Sequence, residues 1–132
     1  NPNIAALSTI NGNTAYVVPS TTTATTSWTY NGSTALTGLT PVTNQVNKIT
    51  GLIVSNTTAS PAAATVGVGN NATFGSATVI SYPAYQISVP ANASLIVIDK
   101  TTNLYITENQ SVGVTSGTAS ALTYTATFEA IT

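Results

Sequence analysis

The stretch Leu122-Thr123-Tyr124-Thr125-Ala126-Thr127-Phe128-Glu129-Ala130 alternates apolar and polar residues without a break. Successive side chains of a strand point to opposite faces, so Leu122, Tyr124, Ala126, Phe128 and Ala130 share one side and the threonines with Glu129 share the other. A period of two with one apolar face predicts a strand laid on a core with its hydroxyl face in water. The rest of the chain is rich in Thr, Ser, Asn, Val, Ala and Gly and poor in Glu, Lys, Arg and Gln, which favours strands and turns over helices. These features predict an all-β fold, an antiparallel β-sandwich or jelly roll.

Working outward, Ser111-Val112-Gly113-Val114-Thr115 and Leu104-Tyr105-Ile106 read as short strands, and the apolar run Leu95-Ile96-Val97-Ile98 as a strand buried on both faces. The turns Asp99-Lys100-Thr101-Thr102-Asn103 and Glu108-Asn109-Gln110 between them predict a meander, with Asp99 to Glu108 as a hairpin. Further back, Ile49–Ser55 and Ala64–Val68 are strands. Ala77–Val89 contains Pro83, which cannot donate to a ladder, so it is either two short strands or an edge strand with a bulge. Thr14–Val18 reads as a strand, and the polar run Pro19-Ser20-Thr21-Thr22-Thr23-Ala24-Thr25-Thr26 as an extended arm. Asn11-Gly12 and Asn31-Gly32 are favourable hairpin-turn pairs. At 132 residues and 13.3 kDa the chain makes one compact domain, a sandwich over 48–132 preceded by a loop-rich extended arm over 1–47 with one or two short strands.

The charged residues are Lys48, Asp99, Lys100, Glu108 and Glu129, only 4% of the chain, and there is no His, Cys, Met or Arg. A general base working near neutral pH has no obvious source here, and the many hydroxyls lack an activating neighbour, so no catalytic residue is expected. Zinc and iron sites draw on imidazole and thiolate, and calcium on clustered carboxylates, so neither a metal nor a cofactor is expected. Two separated lysines at net charge −1 cannot neutralise a phosphate backbone, which argues against nucleic acid as a partner. No apolar run approaches the ~18 residues that cross a bilayer, and no secretory signal is read at the start.

Three features invite a functional reading and have a simpler one. Gly67-Val68-Gly69-Asn70-Asn71-Ala72-Thr73-Phe74-Gly75 is glycine-rich like a phosphate loop, but no Gly-Lys-Ser/Thr follows, and a β-turn is expected. Asn31, Asn56, Asn71, Asn92 and Asn109 open glycosylation triplets, yet so many Asn, Ser and Thr residues produce about four by chance. Trp28, Tyr30 and Tyr82 could form a stacking platform, although packing in a core or at a subunit interface is the expected role. Trp28, Tyr30, Tyr16 and Pro19 are the candidate interface residues. A surface with Thr and Ser in place of Lys and Glu offers little repulsion against association, as in shells, fibres and decorations.

In the second half a longer order emerges: Tyr85-Gln86-Ile87-Ser88-Val89-Pro90-Ala91-Asn92-Ala93-Ser94-Leu95-Ile96-Val97-Ile98-Asp99, then Leu104-Tyr105-Ile106-Thr107-Glu108, Ser111-Val112-Gly113-Val114 and Ala119-Ser120-Ala121-Leu122. Over about Ala63–Thr132 this resembles the small β-sandwich virion proteins of tailed bacteriophages. The resemblance implies a particle component, and the reading taken from it is a capsid decoration or cement protein on the virion surface, a homotrimer bound to the major capsid protein or other virion proteins; the arm over 1–47 is the candidate attachment segment because extended polar segments can order on a neighbour. It carries no catalytic residues, and the Thr-rich N-terminal half departs from the pattern. The alternatives are a neck, tail or fibre component, or a secreted adhesin or carbohydrate-binding module using Trp28 and Tyr30.

Overall fold

The computed structural model describes residues 10–19, 45–72, 74 and 77–132, which form eight strands. They are β1 (Ile10–Val17), β2 (Val46–Asn56), β3 (Ala62–Gly69), β4 (Val79–Val89), β5 (Ser94–Ile98), β6 (Leu104–Ile106), β7 (Ser111–Ser116) and β8 (Leu122–Ile131). One sheet runs β1-β8-β2-β5 with β6 also on β2, the other runs β4-β3-β7, and every pairing is antiparallel. The two sheets pack face to face as an all-β sandwich. β8 behaves as its sequence demands: Leu122, Tyr124, Ala126, Phe128 and Ala130 are buried, facing Val66, Val68, Val112 and Val114 across the core. Each such Leu, Ile, Val or Phe contributes roughly 1.5–3 kcal/mol by leaving water.

The connections correct the expected meander. β5 and β6 do not pair with each other; both lie on β2, with Leu52 opposite Ile98 and Ile49 opposite Leu104. They form one edge strand interrupted by 99–103, an excursion closed by Thr101 N–H and Oγ1 donating to Asp99 Oδ1 at 2.8 and 2.6 Å. Glu108-Asn109-Gln110 is then a crossing between sheets, because β7 pairs with β3 and β8 returns to β2. Nor is β5 buried on both faces: Ile96 is 65% exposed. A register shift opposite Leu52/Ile53 lets Val97 and Ile98 both reach the core while Ile96 points out, so the apolar run serves one covered face of an edge strand.

β1 begins earlier than expected, and Asn11-Gly12 is no turn but part of its ladder, opposite Ala130 and Glu129. Once β8 offers a free edge, eight paired residues outweigh a two-residue turn preference. The first part of the expected arm is thus a strand of the sandwich, and the boundary at 48 falls inside β2. Pro19 is buried, and its carbonyl accepts from Ser120 N–H at 2.8 Å. Trp28, Tyr30, the Asn31-Gly32 pair and the rest of the Thr-rich run lie outside the described residues.

Two polar ties join the sheets. Asn56, 3% exposed, donates from Nδ2 to Ser60 O and Val89 O (2.8 and 3.0 Å) and accepts at Oδ1 from Thr58 N–H and Oγ1 (2.9 and 2.8 Å). It pins the corner Val89-Pro90-Ala91-Asn92-Ala93-Ser94, where the chain leaves the three-stranded sheet; Asn92 there has φ 54°, a left-handed conformation that Asn tolerates. All four hydrogen-bonding positions of Asn56 are thereby used, so this triplet is closed to glycosylation in the folded chain. The second tie is Tyr124, whose hydroxyl donates its one proton to Thr115 O on the opposite sheet, with Thr65 O a more distant acceptor at 3.5 Å. Burial pushes its phenol well above the ordinary range.

Candidate interaction surfaces

Two exposed faces carry chemistry. On the outer side of the five-stranded sheet, Tyr16 stands opposite Thr125, Thr125 opposite Ile53, and Ile53 opposite Ile96. Period-two strands in this register place the four side chains in one row across four strands, about 14 Å wide. Tyr16, Ile53 and Ile96 are 50%, 43% and 65% exposed, so the row is an apolar belt in water. A serine pair borders it, Ser55 and Ser94, with hydroxyls 3.0 Å apart. Lys48 and Glu129, the charges on this sheet's strands, stand opposite each other in a separate row and cancel locally. Of the two interface candidates among the described residues, Tyr16 is exposed and Pro19 is buried.

The second face is the outer side of the three-stranded sheet. β4 has eleven residues and β3 eight, and the three extra are absorbed in three register shifts. Ala64 pairs with Ile87, Val66 with Ala84 and Val68 with Ser81, so Tyr85-Gln86 stand against Thr65 alone and Tyr82-Pro83 against Gly67 alone. Pro83 thus sits where the ladder skips a residue and its missing N–H costs nothing, and β4 is the bulged edge strand expected from it. In a regular strand residues three apart face opposite sides; the bulge between them brings Tyr82 and Tyr85 to the same side, edge to face with ring centroids 4.9 Å apart. The neighbouring bulge, Tyr85-Gln86 against Thr65, holds Gln86 at φ 49°, with its N–H donating to Thr65 Oγ1 at 3.0 Å. Tyr82 is not a core residue, being half exposed on this outer face.

The glycine-rich segment supplies the rest. After the end of β3, Asn70 and Thr78 close a loop, Asn70 N–H donating to Thr78 O and Thr78 N–H to Asn70 Oδ1, and within it Ala77 N–H donates to Phe74 O three residues back. Phe74 folds back from that loop over Gly67, Gly69 and Gly113, and a Cβ on Gly113 would lie 2.4 Å from its ring. The glycines are therefore a seat for an aromatic ring. Beside Phe74 a groove of about 290 Å³ remains, floored by Gly67 and Gly113, walled by Tyr82 and Tyr85, with Thr65, Thr115 and Gln86 as its polar lining. The pair is not among the residues selected from the sequence; its one local signal is Tyr82-Pro83-Ala84-Tyr85, a proline between two tyrosines at a spacing that a regular strand cannot use on one face.

Among the described residues no three His, Cys, Asp or Glu side chains gather at one place. Comparison with known proteins finds no matching family model and no curated relative, so function is read from these two surfaces.

Proposed function

We propose that the chain is a structural protein of a tailed-bacteriophage particle, a decoration or cement protein that binds the coat lattice and bridges neighbouring subunits, assembled as a homotrimer. The observation that carries this reading is the uncharged belt Tyr16–Thr125–Ile53–Ile96, apolar at three of its four positions on a face with water on it. A lone soluble domain gains nothing from such a belt, whereas a lattice-bound protein buries it. The edges agree. β1, β5, β6 and β7 contain no charged residue and no proline, the devices that normally keep sheet edges apart. The resemblance of the Val89–Leu95 and Ala119–Leu122 segments to phage virion proteins supports the same reading.

The mechanism is mass action. A protein that binds only the assembled shell adds its binding free energy to the shell, about 2.7 kcal/mol per site at a free concentration of 100 Kd. The test is the copy number of this chain relative to the major coat protein in purified particles, by quantitative mass spectrometry. A ratio near one, or a simple fraction such as one-third, supports decoration. A few tens of copies point to the neck or tail instead, and absence from particles overturns the virion role.

A further inference from the structure

The geometry points to a second, separate binding site: the groove between Tyr82 and Tyr85 takes a neutral hexopyranose ring of an uncharged glycan. Its lining selects against charge first. Thr65, Gly67, Phe74, Gln86, Gly113 and Thr115 do not ionise, and no Lys, Arg, Asp or Glu lines the groove. A phosphate or carboxylate entering the groove would give up its water with no cation to replace it, and an ammonium would find no carboxylate. What the groove does offer is amphipathic. Two half-exposed tyrosine rings supply an apolar face, and the hydroxyls of Thr65 and Thr115 with the Gln86 carboxamide supply donors and acceptors along one wall. A pyranose has the matching character, with C–H groups on one face and hydroxyls around its rim.

Size and construction agree. A volume of about 290 Å³ is at the lower end of small-molecule sites, suited to one ring of a chain and too small for a folded partner. The tyrosines reach the same side only through the Tyr82-Pro83 bulge between them, and the next bulge, Tyr85-Gln86, holds Gln86 at φ 49° in a region that residues other than glycine seldom occupy. Glycines at 67 and 113 keep the floor low: a Cβ on Gly67 would approach Phe74, Val79 and Tyr82 to 3.3, 3.3 and 3.6 Å. The site lies on the sheet opposite to the belt, so a particle-bound chain can use both.

The test is amide NMR of the whole chain titrated with methyl β-D-glucopyranoside, methyl β-D-galactopyranoside and cellotriose, with tetramethylammonium chloride as the charged control. The expected result is saturable shifts at Thr65, Gln86, Gly113 and Thr115 with at least one glycoside. Tyr82→Ala and Tyr85→Ala are expected to weaken binding by about tenfold or more, and Tyr85→Phe, which keeps the ring, by less than about threefold. Retained strand signals in each variant separate lost binding from lost folding. Shifts with tetramethylammonium alone, shifts confined to the other sheet, or none with any glycoside overturn the assignment. The particle copy number is unaffected by any of these outcomes.

Discussion

Replacing Gly113 by Ala tests the seat of Phe74 through a change of sign. The added Cβ would lie 2.4 Å from Cδ1 and Cε1 of Phe74 and 2.6 Å from Cζ, where carbon atoms normally rest about 3.5–4.0 Å apart. Phe74 is seated over Gly69 and Gly67 as well, where an added Cβ would lie 3.2 and 3.3 Å from its ring, so the ring lies flat on bare backbone and the relief open to it is to rise from the sheet. It must lift off and expose a side chain now 7% accessible, a loss of about 1.5–3 kcal/mol. Against this, Ala is favoured over Gly in a strand by about 0.5–1 kcal/mol, and Gly113 has no left-handed φ to forbid it. Gly113→Ala is therefore expected to destabilise by about 1–2 kcal/mol, a drop of about 3–8 °C in Tm. In a Phe74→Ala background the clash is gone, and the same substitution is expected to stabilise by about 0.5–1 kcal/mol. Urea unfolding of the four proteins gives the coupling directly, about 1.5–3 kcal/mol. Equal effects of Gly113→Ala in both backgrounds, within about 0.5 kcal/mol, would refute the packing of Phe74 on the glycines.

Tyr124→Phe removes the hydroxyl that ties the sheets and is expected to cost about 0.5–2 kcal/mol. Because burial raises the Tyr124 phenol in the folded chain, its contribution is full below the unfolded value near pH 10 and falls as pH rises above it, by up to about 1.4 kcal/mol per pH unit; urea midpoints above pH 10 should fall less steeply in Tyr124→Phe. Asn56→Ala removes the side-chain donor to Val89 O and the acceptor of Thr58 N–H at the sheet-crossing corner, while Ser60 O keeps Thr58 Oγ1, and an expected loss of about 1–3 kcal/mol is read from thermal unfolding, with less than about 0.5 kcal/mol counting against the corner's role. The Asp99 carboxyl is held below the usual carboxylate range, first by Thr101 Oγ1 and then by the Thr101 N–H, so what it contributes is present above the unfolded carboxylate value and lost as pH falls through the folded one. A carbon-detected NMR titration should show its midpoint rising in Thr101→Val. Ile96→Lys places a charge in the exposed belt, and is expected to leave thermal stability within about 0.5 kcal/mol while abolishing co-sedimentation with particles; unchanged co-sedimentation removes the belt from the attachment surface.

Much of the fold was legible locally. The alternation in β8 survived as drawn, Pro83 marked a bulged edge strand, and Pro90 with Asn92 marked the corner after β4. The failures share a cause. Leu95–Ile98 reads as doubly buried because four apolar residues in a row carry no information about whether a second sheet covers the outer face. The meander failed for the same reason: a turn sequence such as Glu108-Asn109-Gln110 fixes a reversal of direction, not the sheet on which the next strand lands. Asn11-Gly12 has a turn preference that the open edge of β8 overrode.

The candidate surfaces were less legible. The belt needs the register of four strands, Tyr16 to Thr125 to Ile53 to Ile96, which joins residues more than a hundred positions apart. The groove needs bulges in β4 and a loop that returns Phe74 to glycines on two strands. By itself, then, the sequence determined an all-β domain, the inward face of its clearest strand and a surface nearly without charge, since each follows from residue type and a two-residue period. Tertiary structure alone decided which strands are neighbours, which apolar residues stay in water, and that Tyr82 and Tyr85 meet. Those outcomes depend on cross-strand register and on single extra residues in a ladder, and one such residue turns every later side chain of its strand to the other face.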